Sequence, residues 1–147
     1  MSKTMLWSSV NKYVDGHPSD LVEVFFLDMS VSSWKKLFGW MSDRVVLLDC
    51  QYGRLNVDEL NIDLFLNGSM SYIVHVKVSS GIELSISAID DNEASIDVEV
   101  EYINNEIYFR SFIAAVSDIA RVINCKKYIV CQEFKRDTPF IVNGVLV

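Results

Sequence analysis

Between Tyr72 and Tyr102 hydrophobic residues fall on every second position. Tyr72, Val74, Val76 and Val78 share one parity, Ile82, Leu84, Ile86 and Ala88 the next, and Ala94, Ile96, Val98, Val100 and Tyr102 the last. A period of two sends successive side chains to opposite faces of a strand. The region therefore predicts three consecutive antiparallel strands, each with one apolar face. The segment "IDDNEA" turns the second strand into the third. Apolar residues of that hairpin must face apolar residues, which restricts its register. One permitted register sets Glu83 opposite Glu99 and Ser85 opposite Asp97. The other sets Glu83 opposite Glu101 and Ser85 opposite Glu99. Either one gathers Glu83, Asp97, Glu99 and Glu101 on one exposed surface.

The rest of the chain alternates helix and strand patterns. Residues 4 to 14 predict a short helix with Leu6, Val10 and Tyr13 or Val14 facing inward, broken by "DGHPS". "LVEVFFL", Leu21 to Leu27, is nearly continuous in apolar residues and predicts a strand covered on both faces. Val31, Trp34, Leu37, Phe38 and Met41 then recur at helical spacing, and the Ser30 hydroxyl can cap the helix start. Gly39 weakens its last turn by about 1 kcal/mol relative to alanine. "VVLLDC", Val45 to Cys50, reads as another buried strand, so the order strand, helix, strand permits a right-handed crossover and a parallel pair. In "NVDELNIDLFLNG", Asn56 and Glu59 form a capping box and Gly68 suits a helix C′ position. Ile62, Leu64 and Leu66 also alternate like a strand, and a short helix is the favoured reading. The strongest helical stripe is Phe109, Phe112, Ile113, Val116, Ile119, Ala120 and Ile123, with Arg121 near the negative end of the dipole. Tyr128 to Phe134 and Phe140 to Val147 close the chain as strands joined by "KRDTP". The prediction is a single α+β domain over residues 1–147. Its central sheet is mostly antiparallel, with three to six strands and helices packed mainly on one face.

Composition narrows the function classes. A chain of 147 residues, half of them hydrophobic, buries roughly 70% of its unfolded surface and needs neither metal nor disulfide to fold. The formal net charge of −7 disfavours nucleic acid and anionic membranes as partners and favours a basic protein surface. Cys50, Cys125 and Cys131 have no framework spacing and read as reduced thiols. The start "MSKTMLWSSVNKYVDG" has no apolar run of signal-peptide length, and no window approaches a membrane span. A cytoplasmic location is expected.

Catalytic motifs are sparse. The six glycines are scattered singly, so there is no phosphate-binding loop, and neither HExxH nor a paired-histidine metal spacing occurs. His17 precedes Pro18 in a turn. His75 sits on the strand parity opposite the valines, where a satisfied surface histidine is the expected role. Trp34 lies on the apolar helix face. Trp40 falls off it and is expected to pack on another element. Lys126 with Lys127, and Lys135 with Arg136, are basic spots too small for nucleic acid and suited to solvating strand ends.

The carboxylates carry the remaining signal. Neighbours two apart on a strand lie roughly 7 Å apart and repel by about 0.6 kcal/mol in water. So small a cost allows a solvated stripe that guards a sheet edge. The stripe, the turn residues Asp90, Asp91 and Glu93, and the net charge nevertheless share one sign, which favours a surface that steers a basic partner. The candidate partner-binding residues are Glu83, Asp90, Asp91, Glu93, Asp97, Glu99 and Glu101. A glycosidase-like pair is disfavoured, because exposed strand carboxylates lack the burial that raises one pKa.

Three segments resemble bacterial immunity proteins of contact-dependent and related polymorphic toxin systems. "FFLDMSVSSWKKLFGWM" is similar to their strand–Asp–x–Ser/Thr–x–x–x–Trp–x–x–Leu helix opening. "LSISAIDDNEASIDVEVEYI" is similar to their acidic hairpin, and "FIAAVSDIARVINCKKYIVCQEFKRDTPFIV" to their closing helix and strands. The resemblance runs from Leu21 to Val142. It implies a non-enzymatic cytosolic protein without cofactor. It also implies a monomer or weak dimer that neutralises the C-terminal domain of a cognate toxin, with a nuclease the class best matched by carboxylates that mimic phosphates. No catalytic or toxin-contacting residue transfers with it. The competing readings are a small acidic secretion chaperone and a small enzyme of unknown chemistry, the latter marked by a deep pocket with buried ionisable groups.

Overall fold

A computed structural model describes residues 5–147. Its frame is one nine-stranded sheet with order β3-β2-β4-β5-β6-β1-β7-β8-β9. The strands are β1 (Leu21–Phe26), β2 (Val45–Cys50), β3 (Gly53–Leu55), β4 (Tyr72–Lys77), β5 (Glu83–Ala88), β6 (Ala94–Glu99), β7 (Tyr128–Gln132), β8 (Ile141–Val142) and β9 (Val145–Leu146). The helices are α1 (Trp7–Val10), α2 (Val31–Ser42), α3 (Ile62–Leu66) and α4 (Glu106–Val122). The fold is α+β, as the periodicity predicts. The helix expected from residue 4 begins at α1 and continues as a 3₁₀ turn, Asn11–Tyr13; Thr4 lies outside the described residues.

Every strand pair is antiparallel. The parallel pair that the strand–helix–strand order permits does not form: β1 and β2 are not neighbours. β1 lies between β6 and β7, whereas β2 turns at Gln51 and Tyr52 into β3 and pairs on its other side with β4. The helix between β1 and β2 carries the chain past three intervening strands. The strand count of nine exceeds the predicted maximum of six: the seven segments read as strands all form, and two more are added. One addition, β3, is only three residues long. The other comes from Asn143 and Gly144, whose φ values of 52° and 84° form a tight hairpin turn and split the last predicted strand into β8 and β9.

One face of the sheet carries the core. Val22, Val24 and Phe26 of β1 align with Val98, Ile96 and Ala94 of β6, all buried. Tyr72, Val74 and Val76 of β4 align with Ala88, Ile86 and Leu84 of β5. The helices supply Leu37, Met41, Phe112, Val116 and Ile119 to the same core. Ser30 caps α2 by accepting the Ser33 N–H, and the expected Asn56–Glu59 capping box forms ahead of α3. Gly68 follows α3 at φ 81°, where a side chain would be strained. Trp34 lies against Phe65 and edge-on to Phe38, and its indole N–H donates to the Asp91 carbonyl at 2.7 Å. Trp40 is buried, with its N–H near Asp118 and the Arg44 guanidinium over its ring, so it packs as expected. No described helix is long and apolar enough to cross a membrane.

Candidate partner-binding surface

The opposite face of the sheet is polar and divides into two regions. On the β2–β4–β5 side, the His75 ring Nδ1 lies 3.0 Å from the Ser85 hydroxyl and Nε2 lies 3.5 Å from Asp49. Serine, histidine and aspartate thus occur in the order of a hydrolytic triad. The geometry does not make them one. The Asp49 carboxylate is held at 2.6 Å by Arg54, the chief cause of its lowered pKa, and 3.5 Å is a poor hydrogen bond to the imidazole. Ser85 sits inside an interior strand paired on both sides, so its backbone N–H groups serve the ladder rather than an oxyanion. His75 is the satisfied surface histidine expected from its parity.

The β5–β6–β1–β7 side is acidic. The observed register sets Ser85 opposite Asp97, the first of the two permitted alignments. Asp97 also faces Glu23 of β1, which in turn faces Cys131 of β7. Asp97 is half-buried rather than exposed, a correction to the expected solvated stripe. Glu23 and Glu133 crowd it, and the loop between β7 and β8 folds back over the neighbouring part of this face. Its Arg136 lies 4.3 Å over the Phe25 ring and forms a bidentate ion pair with Glu93. Beneath it Cys131 is fully buried, and its thiol pKa is pushed up to about 11 by desolvation. Phe25 and Glu23 are half-buried by the same covering, so β1 is screened on both faces as predicted.

Burial, with repulsion from Glu23 and Glu133, raises the Asp97 pKa from 3.8 to about 6. In the folded protein Asp97 therefore holds its proton through a range in which the unfolded chain has lost it. Stability falls as pH rises from about 4 to about 6, and the full cost is present above that. The shift corresponds to at most ~3 kcal/mol. Partial solvent access reduces this to about 1–2 kcal/mol. Asp97→Asn is expected to be more stable than the wild type by that amount at pH 7.5 and equal to it at pH 4, measured by urea denaturation at both values. Equal midpoints at pH 7.5 would mean that the carboxylate is well solvated.

The seven predicted residues do not lie together. Glu83, Glu99 and Glu101 meet at one end of the sheet, around the hydroxyl of Tyr102, whose pKa they raise, Glu101 most. Glu101 belongs to a 3₁₀ turn after β6 rather than to the strand itself. Asp90, Asp91 and Glu93 occupy the β5–β6 turn at the other end, about 20 Å away along a six-residue strand. There Asp90 accepts the Asn92 N–H, the Asp91 carbonyl anchors Trp34, and Glu93 is committed to Arg136.

Strand parity alone missed three residues at the Glu83–Glu99–Glu101 end. Glu23 accepts the Phe134 N–H at 3.1 Å, and Glu133 reaches the Leu21 N–H at 3.3 Å. Phe134 itself is 92% exposed, the most exposed large apolar side chain among the described residues. It also has φ 62°. The left-handed region costs an L-residue with a Cβ roughly 1–2 kcal/mol. The other described non-glycine residues with positive φ are Asp28, Asn124 and Asn143, types that tolerate it. Beside Phe134 a recess of about 320 Å³ is lined by Tyr13, Asp20, Leu21, Val100 and Glu133 among others. The only sequence signal was an aromatic residue placed just before the charged turn "KRDTP".

No family model matches this sequence, and no curated protein matches it. The fold is similar to that of a chain in a solved complex, the toxic C-terminal tip of CdiA from Pseudomonas aeruginosa with its immune protein. The TM-score is 0.60 at 19% identity, over 87% of this chain and 97% of that one.

Proposed function

We propose that this chain is an immunity protein that binds and neutralises the C-terminal domain of a cognate secreted toxin. The observation that carries the reading is the likeness, over nearly the whole fold, to a chain from a toxin–immune protein complex. Charge indicates which half of such a pair this chain represents. A net charge of −7, with Glu83, Glu99 and Glu101 gathered at one end of the sheet, suits an inhibitor of a basic, nucleic-acid-cleaving toxin. The activity is binding, exerted in the cytosol of the cell that makes the protein. Because the toxin's cleft is shaped for phosphates, carboxylates compete for the same lysines and arginines.

The test is co-expression. The toxin domain encoded in the adjacent upstream reading frame, induced alone, is expected to arrest growth. Induced with this chain, it is expected to leave growth normal, and the two proteins are expected to co-purify. Continued arrest in the presence of soluble protein overturns the reading. If this chain expressed alone arrests growth, it is the toxic half of the pair instead.

A further inference from the structure

We infer that Phe134 is the apolar anchor of the toxin interface, inserted into a pocket of a folded protein partner whose rim carries lysine or arginine. The inference rests on the immunity reading above and names the contact at its centre. An aromatic side chain 92% exposed gains nothing from the fold, and φ 62° makes its backbone position unfavourable as well. A residue kept in such a conformation points to a use outside the chain.

The surroundings fit that use. The loop is held in place before any partner arrives. The Phe134 N–H donates to Glu23, the Lys135 N–H to the Gln132 carbonyl, and Arg136 is clamped between Phe25 and Glu93. A fixed aromatic residue loses little freedom on binding, which is the property of a hot-spot anchor. Around it stand the carboxylates of Glu133 and Glu23, with those of Glu99 and Glu101 at the same sheet end. The adjoining recess of about 320 Å³ can receive a side chain in return. An apolar knob beside Glu23, Glu133 and Asp20, with Lys135 the one cationic side chain among the described residues lining the recess, is complementary to an apolar pocket whose rim is mainly basic.

Phe134→Asn separates the two demands on this position, because asparagine accepts the left-handed conformation and lacks the ring. The variant is expected to have a higher urea midpoint than the wild type. It is also expected to bind the upstream toxin domain about thirty-fold more weakly or worse, mostly through faster dissociation. Phe134→Leu, which keeps an apolar knob, is expected to recover most of the affinity. If wild type binds the toxin domain and Phe134→Asn binds equally well, the anchor assignment fails while the immunity reading stands. If wild type does not bind, both fall. A wild-type dimer that Phe134→Asn converts to monomer, with toxin affinity unchanged, would give the side chain to self-association and overturn the assignment.

Discussion

Trp34→Ala is expected to cost the fold about 3–5 kcal/mol, the range for deleting a large buried aromatic residue. In a chain of this size that lowers Tm by about 10–20 °C. The expected loss lies at the upper end because the indole joins three elements. It is 1% exposed, packs on Phe65 of α3 and Phe38 of α2, and donates to the Asp91 carbonyl in the β5–β6 turn. Trp34→Phe keeps most of the ring contact and loses the donor, so it isolates the hydrogen bond at about 1 kcal/mol. The functional consequence is local. The turn that Trp34 holds carries Glu93, which clamps Arg136 and so the loop bearing Phe134. Thermal denaturation of the two variants separates the contributions. A loss below about 1.5 kcal/mol for alanine would mean that α3 collapses into the space and that the turn has other support.

The second large effect is kinetic. Replacing Glu83, Glu99 and Glu101 together with glutamine removes three negative charges from one end of the sheet without changing side-chain shape. Association with the toxin domain is expected to slow about tenfold or more at low salt, with a smaller change in dissociation. The slope of association rate against ionic strength should flatten as well, because steering acts within a Debye length of about 8 Å at physiological salt. Neutralising Asp90 and Asp91 gives the control, since these residues lie at the opposite end of β6. Stopped-flow mixing over a range of salt concentrations reads both sets. Equal slowing by the two would mean that net charge, rather than the end bearing Glu99 and Glu101, governs encounter. No slowing by either would remove electrostatics from the recognition.

How much of this was legible depended on the range of the interaction concerned. Strands β4, β5 and β6, the α4 stripe and the Ser30 and Asn56–Glu59 caps follow from residues a few positions apart, and periodicity shows them directly. The β5–β6 register was constrained to two choices by side-chain parity. Strand order was not legible in the same way. The segment from β1 through α2 to β2 satisfies the local requirements of a parallel crossover, and only pairing with distant β6 and β7 decides otherwise. The Asn143–Gly144 turn was readable, since that dipeptide supplies two residues tolerant of positive φ; the apolar run around it suggested a single strand instead. Asp97 illustrates the limit of reading a site from parity. Its face was correctly assigned, but its partial burial and its carboxylate neighbours Glu23 and Glu133 come from β1 and the end of β7, segments distant in sequence. Phe134 is the reverse case: its neighbours in sequence are ordinary, and its exposure and backbone conformation exist only in the folded loop.

The position of β1 has a consequence for how the protein is made. This strand leaves the ribosome before both of its neighbours, yet it lies inside the sheet, where Val24 pairs with Ile96 on one side and Val130 on the other. Until translation has passed those residues the sheet has a gap at its centre, and β1 lacks its strand partners. A product that stops before Tyr128 lacks both the second neighbour of β1 and the segment bearing Phe134. The centre of the sheet closes only when residues 128–132 have been synthesised.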